Sequence, residues 1–162
     1  MQQTPTVTTG QEAPDFQLFT HDMEPWSLSA HRGAPVVLLF FPGAFTSVCT
    51  TELNTVNNER DEFGGEDVQI VGISTDSPFV LDEFRKVNDL QFALLSDHDA
   101  EVSKAFGVKY DNDFTPMKLG RISKRAAFVV DEEGVVQYAE ITENAGVQPD
   151  FDAIKAALAD LN

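Results

Sequence analysis

The chain has 162 residues, 42% hydrophobic and 23% charged, which is the composition of a folded domain rather than a disordered tail. Lys and Arg number 11 against 27 Asp and Glu, and the resulting net charge of −16 repels phosphate backbones and anionic lipid, which argues against a nucleic-acid or membrane-surface binder. The longest apolar run, Val36 to Phe41, is too short to span a bilayer, and Met1 to Pro5 show neither a basic region nor an apolar core, so no signal peptide is expected. The length suits one domain over residues 1–162.

The acids are spread along the chain. Glu66-Asp67, Asp82-Glu83, Asp97/Asp99, Asp111/Asp113 and Asp131-Glu132-Glu133 are expected in loops or on exposed helix faces, as a solvated surface. Such a surface repels itself at low salt. It is screened near 1 M salt, where the Debye length shrinks to roughly 3 Å. The charge therefore points to a salt-rich, halophilic cytoplasm.

In chain order, Glu12 to Phe19 alternates polar and apolar and predicts an edge strand. Pro25 to Leu28 reads as its hairpin return. Val36 to Phe41 is apolar on both faces, as a central strand covered by helices would be. A helix is predicted from Thr46 or Ser47 to Phe63, stopped by Gly64-Gly65, with Glu52, Glu59, Asp61 and Glu62 turned to solvent or a partner. Val68 to Ser74 is a second buried strand. Ser77-Pro78 then caps a helix running to about Val87.

Phe92 to Leu95 is a short strand, and Asp99 or Ala100 to Phe106 a short helix stopped by Gly107. Val108 to Lys124 has no readable period. Arg125 to Val130 and Val135 to Glu140 form a hairpin across Asp131 to Gly134. Asp150 to Leu161 closes the chain as an amphipathic helix. Buried strands alternating with helices predict an α/β layer structure: a mixed central sheet flanked by helices, with an N-terminal β-hairpin.

One cysteine, Cys49, excludes an internal disulfide and a multi-cysteine zinc site. It lies in the first turn of the helix after the central strand. Unpaired N–H groups and the positive end of the helix dipole favour a thiolate there. A lone cysteine is also, in many proteins, a small buried apolar residue. Thr46, three residues back, has its side chain beside the sulfur and can donate an O–H to it or to a bound oxygen. Pro42 packs a ring at the loop and helps exclude water. Structure alone would read Thr46 as an N-cap and Pro42 as a strand terminator.

The run Pro42 to Cys49, P-x-x-x-T-x-x-C, resembles the active-site motif of the peroxiredoxins. Thr50 to Leu53 continues as that family's helix does. Gly10 to Phe16, Ile73 to Phe79, Leu94 to Asp97 and Lys124 to Asp131 resemble further family segments in order, so the likeness covers nearly the whole chain. It is nearest the one-cysteine alkyl hydroperoxide reductase E and bacterioferritin-comigratory groups.

The resemblance implies a thioredoxin-like fold and a thiol-dependent peroxidase that needs no cofactor. Cys49 would attack a hydroperoxide and become a sulfenic acid. Thr46, Arg125 and backbone N–H groups near Val48 and Cys49 would stabilise the reacting oxygens, Pro42 would shield them, and Glu52 would orient Arg125. Arg121 is a competing arginine. Some relatives carry a resolving cysteine where this chain has Asn54, others one near the C-terminus, and this chain has neither. An external thiol is then required: a low-molecular-weight thiol, or a glutaredoxin-like or thioredoxin-like protein. A cytoplasmic homodimer is expected.

A redox sensor or relay using the same cysteine, and a non-enzymatic thioredoxin-fold binding protein, are the alternatives. His21, His31 and His98 have no ligand spacing, so no metal is expected, and no Gly-rich phosphate loop is present.

Overall fold

The computed structural model describes residues 6–111 and 116–161. Met1 to Pro5 and Asp113 lie outside them, so the signal-peptide reading and that one acidic position find no structural counterpart.

Among the described residues seven strands form one mixed sheet, in the order β2 (Pro25–Ser27), β1 (Gln17–Thr20), β5 (Ala93–Ser96), β4 (Gln69–Ser74), β3 (Val36–Phe40), β6 (Ala126–Val130) and β7 (Val136–Ile141). Central β3 pairs in parallel with β4, and β4 in parallel with β5. On the other side β3 pairs antiparallel with β6, which continues antiparallel into β7. The predicted N-terminal hairpin, β1 and β2, closes the β5 edge.

The apolar run of β3 splits by the period of two. Val36, Leu38 and Phe40 join one core, while Val37, Leu39 and Phe41 join the other. The first core is covered by Trp26, Val102 and Phe106, the last two from α3 (Glu101–Ala105) and just beyond it. The second is covered by α1 (Ser47–Asn58), α2 (Pro78–Val87) and α4 (Phe151–Ala159), through Leu53, Val56, Leu81, Phe84, Ile154 and Leu158. Cys49 belongs to this second core.

Three expectations are corrected. The first strand begins at Gln17, not Glu12. Pro14 has no N–H to give, and the Asp15 carboxylate accepts from Ser29 N at 2.9 Å instead. The helix from Ser47 ends at Asn58 and passes into a 3₁₀ turn at Arg60–Phe63. Asn57 draws the chain aside there: its Oδ1 accepts from Gln91 N at 2.9 Å and its Nδ2 donates to Asp89 O at 3.0 Å. Gly64, at φ +108°, stops the segment, and a Cβ there would strike Val68.

The third correction concerns Asp97, which is buried rather than a surface acid. Its carboxylate accepts from Val102 N, Ser103 N and Ser103 Oγ at 2.7–3.0 Å, so it serves the first turn of α3. Burial raises its pKa against those donors.

The helix signals at Ser77-Pro78 and Asp150 hold. Ser77 accepts from Val80 N at 3.3 Å and Asp150 from Ala153 N at 3.0 Å. Within 108–124, Tyr110 N donates to Ile122 O at 2.9 Å and Lys124 N to Val108 O at 2.6 Å, pairing the two ends of the segment. No helix among the described residues is long and apolar enough to cross a membrane.

Candidate active site

β3 delivers the chain to Phe41 and Pro42, both buried, and the loop to Thr46 leads straight into α1. Cys49 is the third residue of that helix and has no exposed surface. The antiparallel register places Ala126 against Phe40. Arg125, one residue earlier, therefore lies beside the strand end where α1 begins. A topological crossing thus brings together side chains 76 positions apart.

The contacts are direct. Arg125 Nη2 donates to Cys49 Sγ at 3.2 Å, and Arg125 Nη1 donates to Glu52 Oε1 at 2.5 Å. Glu52 is one helical turn past the cysteine on α1 and is fully buried. Nε and Nη2 also donate to the Ala145 carbonyl, at 3.2 and 2.8 Å. Arg125 itself is 2% exposed. Burial alone would lower its pKa, but Glu52 and Cys49 hold it above its ordinary value. Burial pushes Glu52 up, to about 7, against the pull of Arg125, and Glu140 adds to the rise.

The loop is held by a carboxylate from the neighbouring parallel strand. Asp76, two residues past β4, accepts from Ala44 N at 2.8 Å and from Ser74 Oγ at 2.6 Å. Phe45 takes a left-handed φ of 67° and sets its ring edge-on to Phe84, 5.1 Å between centroids. A left-handed phenylalanine is strained, and the Asp76 and Phe84 contacts on either side hold it there. On the far side, Gln148 Nε2 donates to Val48 O at 3.1 Å, the peptide carbonyl preceding the cysteine.

Of the sequence-selected residues, the structure gathers Cys49, Glu52 and Arg125, and puts Pro42 and Thr46 on the adjoining loop. Glu52 faces its arginine partner rather than solvent. The Thr46 hydroxyl donates to Gly43 O at 2.8 Å, closing the loop on itself, not to the sulfur. It occupies the N-cap position without a side-chain cap bond. Arg121 is away from this cluster: it is exposed and sits 3.8 Å from Asp99. Asn54 ties α1 to α2 through Asn88 Oδ1 at 2.9 Å.

Sequence reading missed Asp76, Ala145 and Gln148. Ala145 acts through a backbone carbonyl, which leaves no residue-type signal. Among the described residues no cluster of three His, Cys, Asp or Glu could hold a metal ion.

A helix-start cysteine in contact with a buried guanidinium, beside the central strand of a mixed sheet flanked by helices, defines a cysteine-thiolate site. Residues 9–139 match the AhpC/TSA family. Peroxiredoxin Bcp of Escherichia coli is 34% identical over 132 residues, 82% of this chain and 84% of that one. Chloroplastic peroxiredoxin Q of Oryza sativa subsp. japonica is 36% identical over 132 residues, 82% of this chain but only 58% of the rice protein. The crystal structure of peroxidoxin BcpB from Mycobacterium tuberculosis superposes with a TM-score of 0.83 at 30% identity, covering 96% of this chain and 99% of that one. The chain belongs to the AhpC/TSA family and is a peroxiredoxin similar to the Bcp and Q proteins, with a single cysteine.

Proposed function

We propose that Cys49 reduces hydrogen peroxide and organic hydroperoxides as a thiolate nucleophile and is recycled from the sulfenic acid by an external thiol. The observation that carries this is the 3.2 Å contact from Arg125 Nη2 to Cys49 Sγ inside a buried site. A charge-assisted hydrogen bond is stronger to the thiolate, the reactive form. As the O–O bond breaks, charge moves onto the leaving oxygen, and the same fixed cation lies beside it. Thr46 contributes by exchanging its Gly43 bond for one to the peroxide, and Pro42 keeps water from the loop. Glu52 and Ala145 O fix the guanidinium plane. Because the sulfur is fully buried, a peroxide enters through the loop whose Phe45 and Thr46 are exposed.

The reductant is a low-molecular-weight thiol or a glutaredoxin-like or thioredoxin-like protein, since one cysteine cannot resolve itself within the chain. A working thiol fits a reducing, cytoplasmic compartment. The reading includes one domain over the whole chain and a homodimer. The test is peroxide consumption with candidate thiols. Turnover with at least one external thiol, abolished in Cys49→Ser, is expected. Oxidation of Cys49 that no added thiol reverses would defeat the peroxidase reading and favour a relay.

A further inference from the structure

Glu52 has more to explain than an orienting contact. Its Oε1 accepts from Arg125, but its Oε2 is buried with no hydrogen-bond partner. The other end of the same guanidinium serves Cys49. A single buried cation thus stands between two groups that can each be an anion. Among the described residues no second cation is bonded to either. Lys155, on α4, pairs with Glu59 and Glu62. Glu140, on β7, faces Glu52 with repulsion, and its own Oε1 accepts from Tyr138 Oη and Asp150 N.

A thiolate and a carboxylate together would leave one uncompensated negative charge in a buried site, which is costly. One added proton on Glu52 removes that surplus charge.

We propose that Glu52 holds a proton on Oε2 while Cys49 is a thiolate and releases it when Cys49 is oxidised. At rest the pocket holds Cys49 as thiolate, Arg125 as cation and Glu52 as neutral acid, and sums to zero. Attack forms the S–O bond and breaks the O–O bond, and the electron pair leaves on an alkoxide or hydroxide. The sulfur is oxidised by two electrons to a neutral sulfenic acid while the peroxide is reduced. The proton that turns the leaving oxygen into alcohol or water is matched by the one Glu52 gives up, and the Glu52 carboxylate then balances Arg125. The pocket sums to zero again. The upward push of burial on Glu52, to about 7, is in keeping with this. The role rests on the peroxidase reading above.

The test counts protons. Reduced enzyme in weak buffer at about pH 7 receives one equivalent of hydrogen peroxide; an indicator dye reports proton uptake, and mass spectrometry counts oxidised Cys49. The wild type is expected to take up well under one proton per sulfenic acid. Glu52→Gln, which keeps the shape but has no proton to give, is expected to take up close to one. A full proton taken up by the wild type overturns the proposal. So does none taken up by the variant, because Cys49 was then a thiol at rest.

Infrared difference spectra of the wild type give a readout that does not depend on the variant folding. Loss of a protonated carboxyl band on oxidation is expected, and an unchanged band overturns the proposal. A protein whose Cys49 peroxide does not oxidise loses the peroxidase reading and this proposal together; oxidation with a full proton taken up removes this proposal alone.

Discussion

At the scale of single residues, the site is a contest among buried polar groups for few partners. Arg125 spends its donors on a sulfur, a carboxylate and one backbone carbonyl, so any change at its ends shifts the others. The Thr46 hydroxyl donates to Gly43 O. Thr46→Val should slow Cys49 oxidation by about 100-fold, as loss of one transition-state donor does, while Thr46→Ser keeps most of the rate. Stopped-flow oxidation measures both, and a Val variant as fast as wild type would remove Thr46 from the chemistry.

Glu52 also makes a stability prediction. Burial raises its pKa from 4.5 to about 7 in the folded protein. A raised acid contributes stability that is present in full below 4.5 and lost as pH climbs through about 7. Urea midpoints of the reduced wild type should therefore fall relative to Glu52→Gln over that window. A constant gap between the two proteins would contradict the shift.

At the scale of elements, two connections matter more than the helices they join. The β4–α2 turn holds the Pro42-to-Thr46 loop through Asp76, and the β7–α4 strap holds Arg125 and α1 through Ala145 and Gln148. Asp76→Ala leaves Ala44 N without its acceptor. It should cost about 1–2 kcal/mol and slow Cys49 oxidation by tenfold or more (both order-of-magnitude), with Asp76→Asn spared because it keeps an oxygen. Hydrogen exchange localised to residues 43–47 would report the loosened loop. An unchanged exchange pattern would make Asp76 a bystander.

What the sequence showed at this scale follows from its periodicities. The β3 run, the Ser77-Pro78 cap and the 125–140 hairpin each carry a strong local signal, and each falls within a residue or two of its predicted place. Glu12 to Phe19 failed because Pro14 and Asp15 interrupt an otherwise strand-like alternation. Cys49 and Arg125 were legible through the motif and strand resemblance. Their contact was not, because it depends on β6 lying antiparallel beside β3, and no local pattern fixes that pairing. Asp97 looked like one more surface acid, since the helix start that buries it lies several residues downstream.

At the scale of the whole molecule, the −16 charge sits outside a site whose own ions nearly cancel. Surface self-repulsion weakens with salt, whereas the buried Arg125 pair is shielded from it. The melting temperature should therefore rise from dilute buffer to molar KCl while the rate of Cys49 oxidation changes little. A flat or falling melting temperature would remove the halophilic reading. Sedimentation across the same salt series should show a dimer throughout, and a monomer at all concentrations would remove the second subunit.

The role of the Arg125 guanidinium at Cys49 is read most directly in the second-order rate of Cys49 oxidation by hydrogen peroxide at about pH 7, in the wild type, Arg125→Lys and Arg125→Ala. A wild-type rate far above that of free cysteine is expected, with a loss of about 100-fold or more in the Ala variant and a Lys variant in between, because a point charge replaces only part of a planar fork. A wild-type rate no faster than free cysteine thiolate, unchanged when Arg125 is removed, would contradict that role.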